Sequence, residues 1–379
     1  MTGSIWYGDD DVDGDREDGD PSPSLPSLRV GAETVEADLC VVGLGASGLA
    51  AVHAALDRGL SVVGVDAAGV AAGAAGRNAG FALAGLAEFH HDAVERLGRE
   101  RAVAAYQLTL DELDRTPSLG RIGSLRIAAD EREAADCRLQ LHALRADGFP
   151  VEWYEGPEGA GLLLPTDGVI HPVARCRSLA SGAVARGARL FVGTAWRADV
   201  GVAGVRAART IVAVDGGLEE ALPELAGRVR TTRLQVLATA PTDAVRFPRP
   251  VYRRYGYDYW QQRADGSVVV GGCRDRFASS EWGAPAVPSD EVQACIESML
   301  LRSVLGVPAD VPVVARWAGR VAYTDDRLPV IEEVRPGVVA CGAYSGTGNI
   351  VGVLAGRAAV ELACDGRSDV AEVLAGPAA

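Results

Sequence analysis

Lysine is absent from this chain: all 37 basic residues among its 379 are arginine. That absence removes whole classes of chemistry. No Schiff base to pyridoxal phosphate or to a carbonyl substrate can form, no Walker lysine can cradle a phosphate, and no lysine ammonium can activate oxygen. Histidine is scarce, with five, and the seven cysteines include no Cys-x-x-Cys pair. Neither a zinc site nor a disulfide scaffold is expected, and the cysteine usage fits a reducing, cytoplasmic setting. His90 and His91 are adjacent, diverge on a helix and read as solvent-exposed. Apolar runs long enough to span a bilayer are missing, as is a basic segment leading into an apolar one, so neither a membrane span nor a signal peptide is expected. Excess positive charge is missing too. The net charge of −14 argues against nucleic acid and against an anionic membrane surface. Acid is concentrated over residues 9–20, and with the Pro-Ser run after it this predicts a disordered acidic tail over residues 1–34.

What is present is concentrated early. Asp38-Leu39-Cys40-Val41-Val42 runs into Gly43-Leu44-Gly45-Ala46-Ser47-Gly48, an Ala-rich helical stretch follows, and Ser61-Val62-Val63-Gly64-Val65 ends in Asp66. Strand, Gly-x-Gly-x-x-Gly turn, helix, strand and acid in this register form the βαβ dinucleotide fingerprint. Gly43 permits the tight turn, Gly45 lets a pyrophosphate approach the backbone, and Gly48 lets the helix pack close to the sheet. The helix amides at Ala46 and Ser47 favour phosphate charge. Asp66 is placed to accept hydrogen bonds from both ribose hydroxyls, which argues against the 2′-phosphate of NADP. Small residues from Ala67 through Ala74, Ala75 and Gly76 let backbone lie against an extended ligand, and Arg77 and Asn78 add donors before Ala79 and Gly80.

Further on, helices are expected over residues 99–116, 131–147 and 290–305, with another running from the Pro172 region through Gly187. Strands are expected over residues 123–128, 151–154, 188–192, 210–214, 229–238, 311–323, 328–331 and 338–341. Residues 251–262 and 267–271 read as a hairpin around Ala264-Asp265-Gly266. The chain closes with Gly342-Ala343-Tyr344-Ser345-Gly346-Thr347-Gly348-Asn349 and a helix to Cys364. Both ends then build one nucleotide domain, and β-rich material between them forms a second.

In this arrangement the chain resembles the FAD-dependent amine and amino-acid oxidases, among them glycine oxidase, D-amino-acid oxidase, sarcosine oxidase and, nearest, γ-glutamylputrescine oxidase. The resemblance covers residues 37–366. It rests on the fingerprint with Asp66, Gly76-Arg77-Asn78-Ala79-Gly80-Phe81, residues 167–172, Tyr259-Trp260-Gln261-Gln262 through Gly272, and Trp317-Ala318-Gly319 through Asp326-Arg327-Leu328-Pro329 with the closing turn. It implies an α/β plus α+β fold: a discontinuous Rossmann-like FAD-binding domain (residues 35–82, 165–218 and 318–368) interleaved with a β-rich substrate domain (83–164 and 219–317), as in glycine oxidase. It also implies non-covalent FAD, with adenosine at Asp66, Trp196 beside the adenine, and the last turn, Gly342 to Asn349, under the flavin pyrimidine. A small primary or secondary amine would lose a hydride to the flavin and leave as an imine, and oxygen would reoxidise the flavin to give peroxide.

The departures matter as well. Ala75 stands where the family often has serine, and Thr347 replaces the histidine of its last turn. The family's carboxylate-binding arginine aligns with Val321, leaving Arg320 one residue away, on the opposite face of a strand. A free α-amino acid is therefore not the expected substrate. Tyr255, Tyr257 and Tyr259 alternate and share one face of a strand, either as an aromatic wall for an amine or as sheet packing. Tyr257, Tyr259, Thr347 and Arg320 are the candidate catalytic residues. Arg253 and Arg254 read as a solvated edge. With no lysine, two alternatives stay open: a dehydrogenase with an acceptor other than oxygen, and an FAD-binding partner protein without turnover. Oligomeric state is not legible.

Overall fold

The computed structural model describes residues 4–7, 25–28, 34–116 and 118–376. The chain divides into two compact units. One comprises Asp9–Arg77, His171–Thr232 and Arg320–Ala379; the other comprises Met1–Gly8, Asn78–Ile170 and Arg233–Gly319. The first divide falls at 77/78 and not at 82/83, because Phe81–Ala82 pairs antiparallel with Gly168–Val169 inside the second unit. The return to that unit falls at 232/233 and not at 218/219, so the Val229–Thr239 strand crosses it.

The first unit is built on a six-stranded sheet. Its order is Val330–Arg335, Val338–Gly342, Val205–Val212, Val35–Val42, Val62–Val65, Arg189–Phe191, parallel except for the first pair. The Val62–Val65 strand is buried throughout, as a strand covered on both faces must be. Ala46–Asp57 and Val351–Asp365 pack on each other so closely that a Cβ on Gly356 would lie 2.1 Å from the Ser47 carbonyl oxygen. Trp196–Arg197 and Gly201–Val202 form a small hairpin before Val205–Val212.

The second unit is built on an eight-stranded sheet, in the order Val313–Thr324, Val229–Thr239, Val268–Gly271, Asp258–Gln262, Val251–Arg253, Ser124–Ile127, Gly159–Leu164, Glu152–Gly156. One core lies under Leu125, Val251, Trp260, Val270 and Leu300, and a second joins Phe89, Tyr106, Leu144 and Phe149. The helix expected over 290–305 is α-helical only at Asp290–Cys295 and continues as a π-helix over Ile296–Val304.

Three expectations from sequence need correcting here. His90 is buried, not exposed, with Nε2 2.6 Å from Asp147. Arg254 is no solvated edge: it pairs with Asp258 at 3.2 Å and also with Asp275. The expected tail over 1–34 is ordered in part, since Ile5–Tyr7 forms a 3-10 turn with Trp6 buried, and Ser27 bridges to Val192. The acidic run at 9–20 lies outside the described residues. Among the described residues no helix is long and apolar enough to cross a membrane, and no cluster of three or more acidic, histidine or cysteine side chains is arranged to hold a metal.

Candidate cofactor and substrate sites

In the first unit, the carboxyl ends of Val35–Val42, Val62–Val65 and Val338–Gly342 carry the residues picked out from sequence, with Val205–Val212 lying between the first and the last of these strands. Gly43 sits at φ +101°, and a Cβ there would lie 2.5 Å from the Ala213 carbonyl oxygen. Gly48 has no room at all: its Cβ would lie 1.8 Å from Gly43 O. Gly45 is different. Its backbone is ordinary extended chain (φ −88°, ψ −171°), and a Cβ would meet only Ala75 Cβ, at 3.2 Å. The fold itself makes little demand for glycine at 45, whereas a phosphate lying on the backbone would.

Asp66 is held more tightly than the sequence suggests. Oδ2 accepts the Leu44 amide at 2.9 Å, and Oδ1 accepts the amides of Ala68 and Gly69, both at 2.9 Å. A carboxylate has about four lone-pair sites. Three are taken by backbone amides, and Oδ2, with a single amide on it, is the oxygen open to a ribose hydroxyl. Arg77 turns its Nε to the Ala72 carbonyl at 2.9 Å and closes the loop of small residues at Ala74, Ala75 and Gly76.

The closing turn is strained and internally bonded. Ala343, Ser345 and Gly346 all have positive φ. Tyr344 is buried, its hydroxyl 3.1 Å from Cys341 Sγ and its ring against Gly348 and Gly352. Burial pushes the Tyr344 phenol well above its ordinary range. The Thr347 amide and hydroxyl both donate to Tyr344 O, at 3.0 and 2.7 Å. The helix begins only at Val351, and the Thr347 amide is spent within the turn. Arg175 holds the Asn349 carbonyl at 2.8 Å. Ser345 Oγ is buried with no hydrogen-bond partner among the described residues. An orphaned hydroxyl in a strained turn, together with Gly45, is what a polar ligand across these strand ends would complete, and these residues fit FAD.

Sequence reasoning missed Asp215, at the end of the Val205–Val212 strand. It is half-buried and accepts the Tyr344 amide at 3.1 Å and the Ala322 amide at 3.4 Å. Burial pushes its carboxyl up to about 7, against the pull of those amides. The signal available was an acid directly before Gly216-Gly217 at the end of an apolar run.

Two proposed ligand contacts are committed elsewhere. Trp196 donates Nε1 to Ala221 O at 3.0 Å, its ring packs on the core of the first unit, and Arg335 lies over it at 5.7 Å. Arg320 is bound through both guanidinium NH groups by Glu220, with NH1 at 3.1 Å. That pairing leaves Arg320 a brace under Gly216 and Gly217, not a catalytic cation. His171 caps its helix, Nδ1 accepting the Ala174 amide at 3.1 Å, as a turn-shaping residue should.

In the second unit, the three tyrosines do not share a face. Residues 254–257 form a turn between Val251–Arg253 and Asp258–Gln262, with positive φ at Arg254, Tyr255 and Gly256. Glu133, fully buried, secures it by accepting the amides of Arg254 and Tyr255. The hairpin instead sets Tyr252 opposite Tyr259, ring centroids 6.0 Å apart, with Phe81 edge-on to both at 5.1 and 6.1 Å. Tyr259 lies across Gly271, where any Cβ would strike its ring at 2.3 Å. Tyr257 sits apart under the Arg274 guanidinium at 5.2 Å, and Tyr255 is exposed and bonds Asp136 at 2.7 Å. Gly256 inside Tyr-Gly-Tyr was the turn signal.

A six-stranded, mostly parallel sheet with a glycine-rich turn at its carboxyl edge, joined in one chain to a large β-sheet unit, defines a dinucleotide-binding protein of Rossmann-like build. Residues 38–362 match the family of FAD dependent oxidoreductases (DAO), and the chain belongs to that family. FAD is its cofactor. A probable oxidoreductase OrdL of Rhizobium meliloti (strain 1021) is 28% identical over 216 residues, 52% of this chain and 47% of that protein. The match thus spans about half the length of that relative. The fold is shared with L-amino acid deaminase from Proteus vulgaris (TM-score 0.70, 18% identity, 92% of this chain and 95% of that one). It is shared as well with L-proline dehydrogenase from P. horikoshii (0.70, 19%, 89% and 96%) and glycine oxidase from Geobacillus kaustophilus (0.69, 19%, 88% and 96%).

Proposed function

We propose that this protein oxidises the C–N bond of a small primary or secondary amine, or of an amino-acid derivative, to an imine. In this reading FAD is held non-covalently by residues 43–48, Asp66 to Ala67, 74–80 and 342–349. Gly45 carries the cofactor assignment, because its backbone is ordinary extended chain that does not itself require glycine, and a pyrophosphate would use the missing Cβ. When bound, FAD supplies the two-electron acceptor that C–N oxidation requires. The chain's own residues bind, orient and exclude water. The paired starts of the Ala46–Asp57 and Val351–Asp365 helices favour negative charge. Phe81, Tyr252 and Tyr259 present a π surface suited to an amine. The names of the structural relatives support the same bond class, since each is named for an amino-acid substrate. Engagement of Arg320 by Glu220 supports a substrate without a free α-carboxylate.

Oxygen, reduced to peroxide, is the acceptor in this reading. The missing lysine specifically favours a second one, transfer to a quinone or a protein. A cytoplasmic setting belongs to the proposal, supported by cysteines without disulfide-type spacing. The test is the visible spectrum of purified protein before and after acid precipitation, then an anaerobic amine screen for bleaching. Flavin bands that pass to the supernatant, with bleaching by an amine, are expected. A colourless protein that takes up no added FAD overturns the proposal; oxygen consumption separates the two acceptors.

A further inference from the structure

Trp6 lies far from the glycine-rich turns in sequence, yet it reaches the loop that follows Arg77. Its side chain is 3% exposed. The indole Nε1–H donates to the Asn78 carbonyl at 2.8 Å across 72 residues. The ring stacks under the Arg263 guanidinium at 5.0 Å, and its edge lies 3.3 Å from where a Cβ on Gly80 would stand. The Ile5–Tyr7 turn that carries it is itself pinned, with the Tyr7 amide on Ser4 O and the Trp6 amide on Ser4 Oγ.

Four backbone groups of residues 78–80 have identified partners. Asn78 O takes the Trp6 indole, and Ala79 O takes the Gln261 side-chain amide. Gly80 N donates to Asn78 Oδ1 at 2.8 Å, and Gly80 O accepts from Ile170 N at 2.8 Å. Gly80 stands at φ +78°, walled by Ile170 O and Gln261 as well as Trp6. Two of the four clamps come from side chains distant in sequence, and Trp6 is the one supplied from outside the hairpin sheet.

We propose that the Ile5–Tyr7 turn is a strap for the cofactor loop, and that Trp6 is a positioning residue which fixes the Asn78 carbonyl and so the course of residues 78–80. This rests on the reading that residues 74–80 line FAD. Losing the indole donor removes the Trp6 hydrogen bond from the Asn78 carbonyl and loosens the loop, while the phenyl ring of Trp6→Phe keeps most of the packing. Docking of the strap and FAD binding are then linked, and each strengthens the other.

The experiment titrates FAD into full-length apoprotein, wild type and Trp6→Phe, and records the melting temperature of each apoprotein. Tenfold or more weaker FAD binding by W6F, with apoprotein melting little changed, is expected. Equal affinity, or a loss of melting temperature without loss of affinity, makes Trp6 a packing residue and overturns the proposal. Absence of FAD binding by the wild type sinks the functional reading instead. Should W6F not fold, hydrogen exchange on the wild type decides. Peptides spanning residues 4–7 and 78–80 must gain protection together when FAD is added, and protection of 78–80 alone ends the idea.

Discussion

The Asp215 carboxylate accepts the amide of Tyr344, 129 residues further along the chain, at 3.1 Å. Its second oxygen takes the Ala322 amide, so one acid ties a strand end to the closing turn and to Ala322 of the Val313–Thr324 strand. Asparagine offers one acceptor oxygen where two are used, and its NH₂ would face a backbone donor. Asp215→Asn is expected to cost about 1–3 kcal/mol and to weaken FAD binding. Thermal melts and FAD titration check this; an unchanged variant would show that the turn stands without the acid.

Asp167 is more deeply buried, at 1% exposed, and burial likewise pushes its carboxyl up to about 7. Its partners differ, being the Ser124 hydroxyl at 2.6 Å and the Ala84 amide at 2.8 Å. A hydroxyl can turn round and accept from an asparagine, so Asp167→Asn can keep both contacts. The folded state holds this proton more tightly than the unfolded chain, where aspartate titrates near ~4. The contribution is whole below about pH 4 and is lost as pH rises through 7, on the order of a few kcal/mol. D167N therefore gains stability relative to wild type between pH 5 and 8. Melting curves of the two proteins that stay parallel across that range would contradict the burial argument.

Gly45 and Gly48 separate ligand from fold. Gly48→Ala drives a methyl into the Gly43 carbonyl and is expected to abolish folding. Gly45→Ala displaces only the Ala75 methyl by a few tenths of an ångström and should cost about 1 kcal/mol, the low end for overpacking. Its FAD affinity is expected to fall by at least an order of magnitude. The measurement is FAD binding by the soluble, folded variant; normal affinity there would take the pyrophosphate away from this turn.

Tyr259 and Tyr257 part company in the same way. Removing the Tyr259 ring, in the cluster with Phe81 and Tyr252, is expected to raise KM for the amine about tenfold, the scale of a cation–π contact. Tyr257→Ala strips only the Arg274 stack and should leave KM near wild type. Arg320→Met is also expected to spare KM, because its guanidinium serves Glu220. Steady-state kinetics on the three variants decide, and a selective KM effect at Tyr257 or Arg320 would reverse the assignment.

What sequence alone determined is local. Strand, glycine turn, helix, strand and acid occupy residues 38–66, and each demand, such as the missing Cβ at Gly43 and Gly48, is met within a few residues or against one neighbouring strand. Hydrophobic periodicity placed most helices and strands for the same reason. What only the tertiary structure decided depends on partners a long way off. The turn that splits the tyrosines is held by Glu133, 121 residues before Arg254. Arg320 is claimed by Glu220 across 100 residues, and Trp6 meets Asn78 across 72. A polar side chain takes whichever partner the fold brings within about 3 Å. Its type shows in the sequence, but its partner is chosen by packing.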